Sequence, residues 1–373
     1  MTKQISSRMH FYRPIRKYVL LATLVVSHIS LIHAQTDSLV TKKDTAKRYF
    51  IALPIAFYGE ETNVGLGASA GYYYRCKDNK ISSIQGNAVY TLKNQVSLNV
   101  LPKIYTSTRD FYYSGHLKVN YYPDKFFGIG RNTNDTLEEN YTSKDFSILL
   151  QRQRILFGVM MIGAQAQFNY YQAVEIKTDG LLSQGVTGMN EKFTSGLGLL
   201  MTWDTRDNMF YATDGEFYKA SLMVYSKIFG SSLDFTRLTV DLRNFYSLGQ
   251  KHIIALQIYG DLTWGSTPFQ IMPALGGGDI LRGYYKGRFR DKMMMCAQAE
   301  YRFPIYKWLK GTAFAGVGDV ANDLDRFDIS QSKVAYGAGL RARVNPVNVH
   351  LRFDIAFTRD REPAFYFTAS EAF

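Results

Sequence analysis

The chain has 373 residues, with 44 lysines and arginines against 32 aspartates and glutamates, and 15% of it is aromatic. The basic excess is spread along the chain and forms no block, which argues against nucleic-acid binding. Two isolated cysteines, Cys76 and Cys296, make neither a disulfide framework nor a zinc site.

From the first residues, Lys3, Arg8, Arg13, Arg16 and Lys17 precede an apolar run from Tyr18 to Ile32 that closes on His33 and Ala34. A basic segment, an apolar core and a small closing residue predict a secretory signal peptide over 1–34. Its removal takes away five basic residues and no acidic one, and only His116, His252 and His350 remain of the histidines. Residues 35–48 then read as a short periplasmic leader, and 49–373 as one domain.

Beyond Ala34 no stretch approaches the ~20 apolar residues of a membrane helix. Alternation at period 2 takes its place. In VNVHLRFDIAFT, 347–358, the odd positions are apolar and the even ones include His350, Arg352 and Asp354. In KMMMCAQAEYRF, 292–303, Cys296, Gln298, Glu300 and Arg302 share the polar face, with Met294 as its exception. Turn signals divide the chain into about sixteen strands, many longer than the ~9–11 residues a tilted strand needs to cross a bilayer. They are 49–58, 64–75, 81–92, 95–106, 110–121, 142–152, 155–170, 192–203, 215–225, 232–246, 252–264, 292–303, 311–318, 333–344, 347–358 and 363–373. The long connections 122–141, 171–191, 265–291 and 319–332 all follow odd-numbered strands. That parity fits an all-β, transmembrane antiparallel barrel with long loops on one side and short turns on the other.

The longest connection holds ALGGGDILRGYYKG, 274–287. Gly276, Gly277 and Gly278 suit a loop folded back into the lumen, and Arg282 then needs carboxylates to offset its desolvation. Here the chain resembles the BamA/TamA superfamily of outer-membrane assembly and translocation barrels, also called the bacterial surface antigen family. The resemblance rests on LRGY (Leu281, Arg282, Gly283, Tyr284), on its place between strands 11 and 12 of sixteen, on WDTRDN (203–208) with Gly215, and on AEYRFPI (299–305). Its motifs cover about residues 195–373, and strand pattern alone covers 49–194. The resemblance implies that Arg282 reaches into the barrel and pairs with acids on the following strands, with Glu300 the first partner. The family's second acid belongs to an F-x-D-x-G motif, but FAGVGD (314–319) has Gly316 there, and Asp319 is the nearest replacement. Assembly members also carry periplasmic POTRA domains. Residues 35–48 are too few for even one βαβ unit of about 30 residues, so a periplasmic or outer-membrane protein partner is expected to supply the client-receiving domain.

Pro54 in the first strand and Pro363 near the last either weaken pairing at the barrel seam or simply punctuate strand ends. The terminal Phe373 is the aromatic that barrels commonly present to the assembly machinery. GASAG, 67–71, matches a nucleophile elbow around Ser69, but it alternates Val64, Leu66, Ala68 and Ala70 with small residues and reads as barrel strand. The inward arginines Arg237, Arg243, Arg302, Arg341, Arg343 and Arg352 either favour anions or form an ion network with Asp241, Glu300 and Asp354. The expectation is a non-enzymatic outer-membrane barrel of a Gram-negative bacterium, with no cofactor or metal. It meets outer-membrane lipid and assists insertion or translocation of proteins or lipids; the alternative is a passive channel or structural subunit.

Overall fold

A computed structural model describes residues 48–59, 63–75, 81–106, 110–249, 251–343, 348–359, 362–368 and 371–373. The signal peptide, almost all of the leader, and Cys76 lie outside the described residues. Sixteen strands form one antiparallel sheet in which every strand pairs with its neighbours in sequence. They are β1 (Arg48–Gly59), β2 (Asn63–Arg75), β3 (Ile81–Thr91), β4 (Val96–Tyr105), β5 (Phe111–Phe126), β6 (Glu139–Leu156), β7 (Met160–Val174) and β8 (Phe193–Asp204). The second half comprises β9 (Gly215–Tyr225), β10 (Phe235–Leu248), β11 (His252–Gly265), β12 (Met293–Pro304), β13 (Leu309–Ala321), β14 (Lys333–Arg343), β15 (His350–Thr358) and β16 (Ala364–Thr368). The sheet curls into a barrel. No helix among the described residues is long and apolar enough to cross a membrane.

Alternation decides which side chains enter the lumen, because successive residues of a strand point to opposite faces. On β12, Met295 and Tyr301 are exposed on the outer wall, whereas Cys296, Gln298, Glu300 and Arg302 are buried inside. Met294, the apolar residue on the polar face, is buried against the loop that follows β11. The outer wall carries Leu66, Leu199, Ile258, Leu340 and Phe353, as a lipid-facing surface requires.

Four strands run further than their hydrophobic pattern. The β5–β6 ladder continues through Pro123↔Thr142 to Phe126↔Glu139, and β7 and β13 extend to Val174 and Ala321. Past the apolar band polar and apolar residues no longer alternate, Asp124 and Lys125 running directly into the buried Phe126, while the backbone hydrogen bonds continue. Three of these loops close over the long-loop end. Phe126, Tyr141, Leu182 and Phe269 make one apolar cluster, and Arg288 donates to Thr133 Oγ1 and its carbonyl at 2.6 Å each.

The last strand departs most from expectation. The pattern predicts 363–373, but β16 ends at Thr368, Pro363 lies before it, and residues 371–373 turn into the lumen. The ladder's two ends are β1 and β16, and no pairing joins them among the described residues.

Candidate functional site in the barrel lumen

The loop between β11 and β12 is built as a fold of its own. Ala274–Leu275 pairs with Phe289–Arg290, closed by Gly287 N–H donating to the Leu275 carbonyl at 3.1 Å. Gly276 sits at φ 104°, and a Cβ there would stand 2.0 Å from the Tyr285 carbonyl oxygen. Only glycine fits such a position. Gly277 N–H donates to the Tyr284 carbonyl at 2.9 Å, which turns the tip inward, and Leu281 at φ 50° then redirects the chain toward the wall.

Leu275, Leu281, Tyr284 and Phe289 pack on Met294, Cys296, Val320 and Ala335 of the inner wall. Gln298 receives Leu281 N–H at 3.2 Å and donates to the Asp279 carbonyl at 2.7 Å. Gly283 N–H donates to the Tyr366 hydroxyl at 2.9 Å. The loop tip is thereby held by β12, β13, β14 and the last strand, β16.

Arg282 is buried to 1% exposure at the centre. Its Nη2 donates to Glu300 Oε2 at 2.9 Å and its Nη1 to Asp354 Oδ2 at 2.6 Å. Phe314 lies under the guanidinium, 3.5 Å from the ring centroid to Cζ, a cation–π contact strengthened by desolvation. Glu300 also accepts from Arg302 at 2.8 Å and Arg341 at 3.2 Å, and Arg341 bridges on to Asp354 and to Glu371, the latter at 2.6 Å. Arg352 donates to the Gly278 carbonyl at 2.9 Å and to Asp279 at 3.3 Å. Four arginines thus interlock with Glu300, Asp354, Glu371 and Asp279. In a site this dry, each charge is tolerable because its neighbours balance and hydrogen-bond it.

The expected Arg282–Glu300 pair is present. The second acid differs from expectation. Asp319 binds Arg131 at 3.0 Å, beneath the loop dome, and Asp354 of β15 meets Arg282 instead. Gly316 leaves little room for an acid: a Cβ there would lie 3.1 Å from Leu281 Cδ1 and from Gln298 Cβ, and both would have to give way. Leu281 occupies that space. Arg343, expected inward, is exposed at the end of β14.

At the short-turn end, WDTRDN shapes the connection from β8 to β9. Asp204 grips Arg206 through two 2.8 Å contacts, and Asn208 Oδ1 accepts from Phe210 and Tyr211 N–H. Gly215, at φ 99°, closes it. This turn lifts Tyr211 and Ala212 into the barrel, where the Ala212 carbonyl meets Arg302 Nη1 at 3.3 Å. Phe373, expected at the seam, packs instead on Phe245, Ala255 and Ala212, and its carbonyl accepts from Arg302 at 3.1 Å. Pro54 is exposed on β1, opposite Ala68. Ser69 lies mid-strand in β2 between Leu53 and Asn87, without the strand–turn–helix of a nucleophile elbow.

The comparisons agree with this geometry. A family model described as the Omp85 superfamily domain matches residues 56–373. BamA from Haemophilus ducreyi lacking POTRA domains 1–3 superposes with a TM-score of 0.55 at 14% identity, over 88% of this chain and 69% of that one. CdiB from Escherichia coli gives 0.56 at 12%, over 86% and 61%, and CdiB from Acinetobacter baumannii 0.52 at 10%, over 84% and 56%. At such identities the likeness establishes the fold. The chain spans 56–69% of the length of these three proteins. No curated protein matches it in sequence.

Proposed function

The chain belongs to the Omp85 superfamily, and we propose that it is an outer-membrane barrel assisting the insertion or translocation of proteins or lipids in outer-membrane biogenesis, without covalent chemistry. The long loops face outward and the short turns face the periplasm. A periplasmic or outer-membrane protein partner delivers the client, and bilayer lipid surrounds the seam.

One observation carries this reading: the loop locked by Arg282 also holds the strand at the sheet's open end. Tyr366 of β16 receives Gly283 N–H and pairs directly with Asp354 of β15, the carboxylate that Arg282 binds. β16 has only five paired residues, Ala364 to Thr368, against Ala356 to Arg352. So short a ladder costs little to part, and its position is governed by the loop. Arg282 acts as the brace of that edge and takes no part in bond making.

Photo-crosslinking in cells from Tyr49, Ile51 and Phe365, with adducts identified by mass spectrometry, tests the proposal. Adducts to unfolded barrel proteins, lipoproteins or a periplasmic chaperone support it. Adducts confined to the opposite strand and bulk lipid sink it. Arg282→Ala should change both the adduct pattern and barrel stability; if neither moves, the brace is wrong.

A passive channel is the competing reading, and a cavity of about 440 Å³ beneath the loop favours it. Stable single-channel conductance of the purified barrel, without client adducts, would establish that alternative.

A further inference from the structure

The cavity beneath the loop has a chemistry that the Arg282 lock does not use. It lies at the short-turn end of the lumen, between the wall formed by β4 to β6 and the wall formed by β8 to β10. Lys103, Arg206, Lys219 and Arg243 all line it, and Lys103 lies within electrostatic reach of the other three and of Asp204. Arg206 and Arg243 each commit Nε and Nη2 to an aspartate, Asp204 and Asp241 respectively. Lys219 hydrogen-bonds the amide oxygen of Gln151 at 3.3 Å and stands opposite Asp241 in the ladder, without an ion pair to it. Among the described residues Lys103 has no carboxylate within ion-pair distance. The remaining acid of the cavity, Glu371, is held by Arg341. This leaves two cations in excess, facing a shared space inside a barrel.

A second observation points the same way. His350 is 99% buried, lines the cavity, and donates from Nδ1 to the Asn348 carbonyl at 2.9 Å, while its Nε2 has no hydrogen-bond partner among the described residues. Covered by the Tyr211 ring at 4.3 Å between centroids, that nitrogen can accept from a ligand's acidic O–H once the ring shifts aside. The rest of the wall mixes neutral polar groups, Gln85, Ser114, Gln153 and Thr202 among them, with the apolar Leu101, Met161, Phe210 and Phe217. Uncompensated buried cations cost stability, and groups that lower stability while converging on one space are characteristic of binding sites.

We infer that this cavity binds a phosphate group, with Lys103 and Lys219 as its main ligands and the free Nη1 groups of Arg206 and Arg243 as supporting donors. Its volume, about 440 Å³, falls within the ~300–1,000 Å³ of small-molecule sites. The apolar part of the wall suits the first carbons of an amphiphile beside that phosphate. The site is independent of the client-handling reading, because it uses neither the seam nor Arg282.

The test uses the full chain purified in a maltoside detergent, titrated calorimetrically with inorganic phosphate and separately with dihexanoyl phosphatidic acid. Saturable binding of either probe is expected. Tighter binding of the lipid identifies the source as a phospholipid headgroup, and equal binding identifies a free phosphate or phosphorylated solute. Lys103→Gln with Lys219→Gln should weaken binding at least about tenfold, since charge-assisted contacts are among the stronger hydrogen bonds. Lys227→Gln, on an exposed outer turn, should leave it unchanged. A separate reading guards against misfolding: without ligand, the double variant should melt no lower than the parent, because it removes repulsion. Absence of saturable binding, equal binding by the double variant, or a lowered ligand-free melting point would each overturn the assignment.

Discussion

The two halves of the lumen are made from the same alternating strands and reach opposite electrostatic solutions. On the wall of β12 to β16, Arg282, Arg302, Arg341 and Arg352 meet Glu300, Asp354, Glu371 and Asp279, and beneath the loop all of them except the exposed Asp279 are shut away from water. On the wall of β4 to β9, uncharged amides and hydroxyls form most of the ladder: Gln151 donates to Gln165, Gln165 to Ser221, and Asn169 to Thr194. The charges there outnumber their partners and face a cavity. The contrast teaches that a polar lumen is not one environment. Where a loop closes over it, charges must pair; where space remains, amides suffice and spare cations are tolerated.

The strongest way to break this comparison is Glu300→Gln, which deprives three buried arginines of a charge. Removing one member of a buried ion network costs about 3–5 kcal/mol, so heat-modifiable gel mobility should show a markedly lower unfolding temperature. A smaller effect is expected from Gly276→Ala, which forces a Cβ against the Tyr285 carbonyl at positive φ. Strain of this kind is worth about 1–3 kcal/mol, and limited proteolysis should cut the 266–292 loop faster. Tyr366→Phe removes the hydroxyl that accepts from Gly283 N–H and donates weakly, at 3.5 Å, to the Tyr284 carbonyl, worth about 1 kcal/mol, and should loosen the loop with little change in barrel unfolding. Least of all, Gln165→Ala on the amide wall should cost about 1 kcal/mol or less and leave loop proteolysis untouched. If Gln165→Ala proved as damaging as Glu300→Gln, the distinction between the walls would fail.

The strand plan was legible because alternation is local: all sixteen predicted strands have their counterpart in the sheet, and the four long connections follow β5, β7, β11 and β13. The Arg282–Glu300 pair was legible through the resemblance of the LRGY loop to its family, with strand parity placing Glu300 inward. Asp354 was placed inward by the same parity, yet nothing in the spacing of two residues 72 apart reveals that a curved wall brings them together. Asp319 was misplaced because its partner, Arg131, arrives from a distant outer loop. The sequence did hold one overlooked sign at its end. Glu371 interrupts an otherwise uncharged tail after Pro363, and an acid there has a reason to leave the lipid-facing strand for Arg341.

The network draws on a loop, three strands and the tail, through bonds that span 18, 41, 71 and 72 residues. Contacts of such separation form late in folding, after loop-closure entropy has been met. Arg302 meets Glu300 two residues away and Arg341 meets Asp354 across its own hairpin, but Arg282 needs both of those acids at once, from strands far apart in sequence. An incompletely assembled barrel therefore exposes unbalanced buried charge and remains unstable until the final segment arrives. The walls that carry Arg302 and Arg341 thus settle fully only once residues 371–373 have turned into the lumen beside them.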